Sequence, residues 1–465
     1  MSSGLWNRDP IADFEQLASA WRIGLKDRRH HAYARDLWPQ CLAVDRMSRE
    51  ELLELQGARL QELISHAAHH VPFYQRWARD AGWSPGDQVR LADLPVVSKA
   101  DYIADIDAFQ SDAFPVSELT KGRTSGSSGE PFRFRKHPRS SDYSYCCLWR
   151  ALHRFGLRPG DRRVYVWGRS YTFANNPIGI AKKKLTLALR DWLNVTLAID
   201  AYDLSFESVR EAIAEIERFR PVYIHGYVSA LYTIARALDD EGRTLNAPGI
   251  VAAVTESEKL YDFQRETIER AFGCPVLEHY GSVEFGNIAE PDPDGNMRIN
   301  EDMFVVERLP TGEAAITNLF SQAFPFIRYK LGDLIELRED VPPGLPYACF
   351  ASITGRTVDL IPIGSGGYVH GVALAHAIDP HMDHVLKYQI HQTAIDRFIV
   401  RLIPKAQLPE TVGQTIATDL RGLVGPDAQI EIRAVDHISP AASGKFRWVM
   451  SDLSPPPIQP TSQQK

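Results

Sequence analysis

The sequence predicts an α/β protein: a large N-terminal domain followed by a small α+β domain. Three observations carry that expectation. Apolar runs that look like buried strands, at 163–167 and 221–224, alternate with segments of helical period at 205–219 and 228–238, as in parallel strands crossed by helices. After Arg356 the texture changes, and the glycine-rich stretch Gly364-Ser365-Gly366-Gly367 leads into short strands, a helix and one more strand. The chain has 465 residues, enough for two or three domains that need no disulfide or metal to hold a core.

In chain order, residues 48–80 place Leu52, Leu53, Leu55, Leu60, Leu63 and Ile64 at helical spacing ahead of Pro72-Phe73-Tyr74. Two helices joined at a proline turn are expected, within a helical lead-in covering residues 1–100. Pro131-Phe132-Arg133-Phe134 reads as a strand, as do 275–277 and 314–318. In the small domain, 386–391 and 397–403 read as a hairpin across 393–396, followed by a helix near 410–423 and a strand at 429–435. The boundary is set at Asp359, giving domains 1–359 and 360–453. Residues 454–465, rich in Pro, Ser and Gln, have nothing to bury and read as a disordered tail.

Composition excludes several classes. The chain is 44% hydrophobic and 24% charged, an ordinary soluble balance. Lys plus Arg number 52 against 59 Asp plus Glu, a net charge of −7, so no basic excess draws nucleic acid or an anionic membrane. Cys41, Cys146, Cys147, Cys274 and Cys349 are odd in number and form no CxxC pair, which fits a reducing cytoplasm rather than a disulfide scaffold or zinc knuckle. Arg8, Asp9, Asp13 and Glu15 leave no apolar segment for a signal peptide, and no apolar run approaches the roughly 20 residues of a membrane helix. His376, His381 and His384 lack the spacing of ligands on one helix face, so no structural metal is assigned.

Chemistry concentrates in a few segments. In Thr124-Ser125-Gly126-Ser127-Ser128-Gly129, glycines let backbone N–H groups turn toward an anion and hydroxyls add donors, a cradle for phosphate oxygens. Such a run is also what a flexible linker looks like, but it lies between structured segments and continues directly into a strand. No lysine follows the last glycine, so it is not the G-x-x-x-x-G-K-[ST] loop. In Tyr280-Gly281-Ser282-Val283-Glu284, a carboxylate beyond a strand end can hold Mg²⁺ against nucleotide phosphates, and Tyr280 can line a base. In Arg328-Tyr329-Lys330-Leu331-Gly332-Asp333, the aspartate can accept both hydroxyls of a ribose diol. Taken singly, a capping glutamate, a core tyrosine and a turn aspartate explain these residues as well.

Their ordered combination is more specific. Together with Thr354-Gly355-Arg356-Thr357-Val358-Asp359 and Ser443-Gly444-Lys445-Phe446-Arg447, these segments resemble the acyl-adenylate-forming enzyme superfamily. Val71-Pro72-Phe73-Tyr74, Leu94-Pro95 with Lys99, and Ile224-His225-Gly226-Tyr227 are similar to its phenylacetate–CoA ligase branch, with the coenzyme F390 synthetase and CapK-like relatives. The resemblance spans residues 48–450. It implies a large domain of mixed sheets flanked by helices and a mobile C-terminal lid. It further implies ATP and Mg²⁺ as cofactors and coenzyme A as co-substrate, with Thr124 to Gly129 on the β- and γ-phosphates and Glu284 on Mg²⁺. By the same resemblance Tyr280 and Gly281 would lie at the adenine side, Ser282 in the nucleotide site, Asp333 on the ribose, Arg356 on the ribose or phosphate, and Asp359 at the hinge. Lys445 would neutralise charge as a carboxylate attacks the α-phosphate.

The implied reaction is adenylation of an aromatic carboxylic acid with release of pyrophosphate, then transfer to coenzyme A. His225, Gly226 and Tyr227 would border the acyl pocket, with Tyr143, Tyr145, Trp149, Trp167 and Tyr223 as further aromatic candidates. Departures from the family pattern bear on the substrate. The usual lysine after the phosphate loop is replaced by Phe132 or Arg133, and Tyr-Gly-Ser-Val-Glu stands where phenylacetate ligases have Tyr-Gly-Leu-Ser-Glu. Two alternative reactions stay open: an amide ligase with an amine acceptor, and nitrite activation that diazotises an aryl amine. A non-catalytic nucleotide-binding protein would not need all five motifs. The partners are a small-molecule acid and its acceptor, and a homodimer is left open.

Overall fold

The computed structural model describes residues 33–83, 88–123, 132–168, 191, 195–201, 206–356, 360–364, 368–439 and 446–453. The lead-in comprises α1 (Ala34–Val44), α2 (Arg49–His70), α3 (Pro72–Asp80), β1 (Val97–Ser98) and α4 (Lys99–Ala104). Helix α2 starts at a capping box, in which the Ser48 hydroxyl accepts from Glu51 N–H and the Glu51 carboxylate accepts from Ser48 N–H. It stops at Val71 because Pro72 cannot continue it and instead opens α3.

β2 (Thr120–Arg123) and β3 (Arg133–Lys136) form an antiparallel pair, and α5 (Pro138–Arg154) follows. A five-stranded parallel sheet then uses β4 (Arg163–Trp167), β5 (Thr196–Asp200), β6 (Tyr223–Tyr227), β7 (Ala252–Glu256) and β8 (Val276–Glu278), in the order β5-β4-β6-β7-β8. Its crossovers include α6 (Phe206–Phe219), α7 (Val228–Asp240) and α8 (Asp262–Phe272). Strand alternation sorts the two faces. Val164, Val166, Ile224 and Ala253 pack with Ile213, Leu231 and Ile268 of the crossover helices. Tyr223, Ala252, Val254 and Leu277 pack on the other side with Trp149 and Leu152 of α5.

The single residue His279 joins β8 to β9 (Tyr280–Ser282), and so carries the chain from the parallel sheet into a second, mixed one. That sheet continues with β10 (Gly286–Pro291), β11 (Met297–Ile299), β12 (Phe304–Arg308), β13 (Glu313–Asn318), β14 (Tyr329–Leu337) and β15 (Cys349–Arg356). Its order is β12-β13-β14-β15-β11-β10-β9, with β1 paired parallel to β14. Beyond it lie β16 (Leu360–Pro362), β17 (Tyr368–His370) and the short helix α9 (Gly371–His376). A four-stranded sheet follows, β20-β19-β18-β21, from β18 (Val385–Ala394), β19 (Arg397–Pro404), β20 (Gln429–Ala434) and β21 (Val449–Ser451), with α10 (Glu410–Val424) packed on it. The architecture is thus mixed α/β, with sheets flanked by helices. No described helix is long and apolar enough to cross a membrane.

Strand β6 differs from the sequence expectation of 221–224. It starts at Tyr223 and runs to Tyr227, because the polar His225 and the small Gly226 lie inside the ladder between β4 and β7. The Ser/Thr/Gly segment 124–129, Asp359, Lys445 and the tail 454–465 lie outside the described residues.

Helix α5 is fixed by a buried ion pair. Arg150 donates to Asp302 Oδ1 at 2.9 Å and Oδ2 at 3.0 Å, and to Cys41 O and Asn300 Oδ1 at 2.9 Å each. Tyr143 Oη also donates to Asp302 Oδ2, at 2.6 Å, while its ring stacks on Phe320 at 4.0 Å. Arg150 and Asp302 have no exposed side-chain surface.

Candidate active site

Two tight contacts force the turn that carries Tyr280 and Glu284 to use glycine. A Cβ on Gly281 would stand 2.1 Å from Gly286 O, and one on Gly286, whose φ is +77°, would stand 2.2 Å from Ser144 Oγ. The β9–β10 hairpin therefore closes flush against α5, where Asn287 N–H donates to Ser144 Oγ at 3.0 Å.

Strand β14 brings the two distant motif carboxylates into relation with this hairpin. Tyr280 Oη donates to Asp333 Oδ2 at 2.7 Å, and Tyr329 Oη lies 3.3 Å from Glu284 Oε1. Asp333 is in turn the register partner of Arg356 on β15. Glu284 and Asp333 are both buried, at 8% and 5% exposure, each with a tyrosine hydroxyl beside its carboxylate. Tyr280, Gly281, Ser282, Glu284 and Asp333 thus gather on one end of the mixed sheet, together with the backbone of Arg356.

A lysine that the sequence reading passed over completes this corner. Lys136 Nζ donates to Val283 O at 2.8 Å and to Glu284 O at 3.5 Å. Burial lowers its pKa to about 8, with Glu284 pulling the other way. Lys136 and Glu284 line a small cavity together with His137, Ser140, Asn318 and Ser321. The ends of the strands flanking the Thr124–Gly129 segment, Arg123 and Arg133, are register partners in the pair that carries Lys136.

Next to Lys445 in sequence, Phe446 N–H donates to Glu258 Oε1 at 2.9 Å. The same carboxylate accepts from Ser229 N–H at 2.7 Å and Ser229 Oγ–H at 3.0 Å, at the start of α7. Tyr232 of α7 meets Trp448 edge-on at 6.1 Å between ring centroids. Lys387 Nζ sits 3.9 Å over the Phe446 ring.

On the acyl side, register places Tyr165, Trp167, His225, Tyr227 and Glu256 on one face of the parallel sheet, toward the carboxyl ends of its strands. Tyr227 stacks on Trp167 at 3.9 Å and Tyr165 on Trp167 at 5.2 Å. His225 Nε2 lies 3.5 Å from Glu256 Oε2, and His279 Nδ1 lies 3.2 Å from Glu290 Oε2, the two imidazoles being 6.3 Å apart. Burial, then the neighbouring His225, lowers the His279 pKa to about 3. Burial, then Glu256, raises that of Glu290 well above the usual carboxylate range. Of the other aromatic candidates, Tyr143, Trp149 and Tyr223 are core residues, Tyr143 being bound to Asp302 and Trp149 meeting Tyr223 edge-on.

Sequence reasoning missed Lys136, Glu256, Glu258, His279 and Glu290. His279 immediately precedes Tyr280, and strand alternation sets Lys136 on the same side of β3 as the buried Phe134, so both had a local signal.

Residues 363–452 match the family model of the CapK C-terminal domain. The chain is 27% identical over 415 residues to Protein CapK of Staphylococcus aureus, covering 87% of this chain and 90% of that one. It is 25% identical over 401 residues to a phenylacetate-coenzyme A ligase of Thermus thermophilus, covering 81% and 86%. Among solved structures, 2-hydroxyisobutyryl-CoA ligase in the postadenylation state, in complex with 2-HIB-AMP, superposes with a TM-score of 0.65 at 22% identity, covering 85% of this chain and 89% of the other.

Proposed function

We propose, from the premise that the chain belongs to the acyl-adenylate-forming superfamily in its phenylacetate–CoA ligase and CapK-like branch, that it is an AMP-forming ligase. It joins a carboxylic acid, an aromatic one by the make-up of its acyl side, to AMP with loss of pyrophosphate and then hands the acyl group to coenzyme A. The observation that carries this reading is the Tyr280–Asp333 and Tyr329–Glu284 pairing, which draws motif residues far apart in sequence to one sheet end.

The roles follow from the chemistry of each group. Asp333 accepts the ribose hydroxyls, with Tyr280 and Gly281 beside the adenine. Thr124 to Gly129 receive phosphate oxygens, and Arg356 contacts the ribose or phosphate. A single buried carboxylate with one oxygen beside a phenol suits Mg²⁺, which takes one or two protein carboxylates and completes its shell with phosphate and water. Glu284 would hold that ion, whose chemistry is neutralisation of phosphate charge. Lys136 fixes the Val283–Glu284 peptide and so keeps that carboxylate in place. Lys445, brought in beside the docked Phe446, offsets the charge gathering on phosphorus while the acid oxygen attacks, and Asp359 is the hinge about which it withdraws before coenzyme A enters. The five cysteines, all free, suit a reducing cytoplasm.

The test is acid-dependent exchange of labelled pyrophosphate into ATP, with thioester formation on adding coenzyme A. Lys445→Ala should slow the exchange by at least about a hundredfold. Exchange at the wild-type rate in that variant, or none with any acid in a broad aryl and alkyl panel, overturns the reading.

A further inference from the structure

Helix α7 presents one line of residues to the C-terminal sheet. Ser229, Tyr232, Arg236 and Asp240 recur every three or four positions, so they share one face of the helix. Each is tied, directly or through Glu258, to the segment that matches the CapK C-terminal domain, residues 363–452. At the end of α7, Lys405 Nζ donates to Asp240 Oδ1 at 2.6 Å, and Arg236 donates to Met382 O and to Asp240 Oδ1 at 3.2 Å each. Midway, Tyr232 meets Trp448, whose ring packs in turn on Tyr388 of β18 at 4.7 Å. At the start, Ser229 and Phe446 share the carboxylate of Glu258.

Glu258 is the link that bears on the chemistry. It lies two residues beyond β7, at the carboxyl end of the parallel sheet, where open sheets bind their ligands. The nitrogen it holds in Phe446 is the amide of the peptide bond to Lys445, so the contact fixes the backbone one peptide plane from that lysine. A hydrogen bond to a carboxylate is about twice as strong as a neutral one.

We propose that Glu258 is a positioning residue for adenylation: with Asp240 farther along α7, it sets the C-terminal sheet in the arrangement that this half-reaction requires, and neither residue serves the thioester step. The inference rests on the reading above, in which that sheet closes for one half-reaction and withdraws for the other. An arrangement left and regained in every turnover is close to balance with its alternatives, so a modest loss of contact reaches the rate. Losing a hydrogen bond to a charged group changes such a ratio by about tenfold, which takes an evenly balanced population from about half docked to about a tenth. The Lys405–Asp240 pair is 23% and 32% exposed, and a partly exposed pair is worth about threefold.

The experiment measures the two halves separately: pyrophosphate exchange with the acid of the aryl and alkyl panel that wild type uses fastest, and thioester formation from the synthetic adenylate of that acid and coenzyme A. Glu258→Ala should lower kcat for exchange about fivefold and keep thioester formation within about twofold of wild type. Asp240→Lys, which sets a cation against Lys405, should slow exchange about twofold, and adding Lys405→Glu should restore it. Both halves slowed alike in Glu258→Ala, or exchange unchanged there, overturns the inference and leaves the AMP-forming reading standing. Should Glu258→Ala fail to fold, the Asp240 and Lys405 variants decide. No loss in the single variant, or no recovery in the double one, then overturns it. No wild-type exchange with any acid removes the acyl-activation reading and this inference with it.

Discussion

Replacing Asp302 with Asn removes one charge and little volume, and leaves the Arg150 guanidinium fully buried with one of its two hydrogen bonds to that side chain turned onto an amide NH2. Breaking a buried ion pair on one side costs about 3–5 kcal/mol. The lower end applies here, because Asp45 lies 3.6 Å from Arg150 Nε with 23% of its side chain exposed and supplies part of the missing charge. For a domain of about 360 residues, at about 2.1 cal/mol/K of unfolding entropy per residue, about 3 kcal/mol corresponds to a fall in melting temperature of roughly 4 °C. The sign with pH is also fixed. Burial works to raise the Asp302 pKa, but Arg150 and the hydrogen bonds outweigh it and hold it below the usual 3.8. A depressed carboxylate contributes stability above its unfolded pKa and loses it as pH falls through the folded one, so the deficit of the variant should close in acid. Scanning calorimetry from neutral pH downward reads both effects. Arg150→Met combined with Asp302→Leu should melt above Asp302→Asn, since it strands no charge. A single variant within about 1 °C of wild type at neutral pH, or a double variant that melts lower still, would refute the reasoning.

Two further outcomes follow from geometry already described. Gly281→Ala must push the β9–β10 turn apart, because its new methyl would meet Gly286 O at 2.1 Å; a loss of about 1–3 kcal/mol in denaturant melts, with slower pyrophosphate exchange, is expected, and unchanged values would show the turn to be softer than its contacts imply. Burial lowers the Lys387 pKa from 10.5 to about 8, opposed by Glu258. Below pH 8 the folded protein carries the penalty of a buried ammonium, and between 8 and 10.5 it sheds its proton before the unfolded chain does, so stability from this group rises with pH. Lys387→Met should therefore melt higher than wild type near neutrality, the gap narrowing toward the alkaline end of a pH series; a gap that widens there contradicts the assignment.

Local pattern made much of this fold readable. The strand at 163–167 and the helix entered at Val228 follow from alternation and period alone, and the small hairpin from two alternating runs around a short polar turn. Strand β6 was harder, because Pro221 reads as the start of an apolar run yet has no N–H for the ladder, while His225 looks too polar for a position buried between two strands. At the candidate site, Tyr280, Glu284 and Asp333 were readable as motifs. That Tyr280 holds Asp333 was not, because 53 residues and a strand crossing separate them. Alternation with Phe134 marked the inward side of Lys136, but not its role, because its partner carbonyls lie 147 and 148 residues away. Glu290 and His279 meet only because one residue bridges two sheets.

Among the described residues, the carboxylate of Glu258 takes two bonds from Ser229 and a third from Phe446. The first two do not depend on the C-terminal sheet, so the side chain stays aimed whether that third partner is present or gone. Should the C-terminal sheet swing away between the two halves of a catalytic cycle, it leaves behind a ready mooring whose rotamer has already been chosen. Return then requires ordering only the arriving strand, and the berth it finds lies one residue from Lys445.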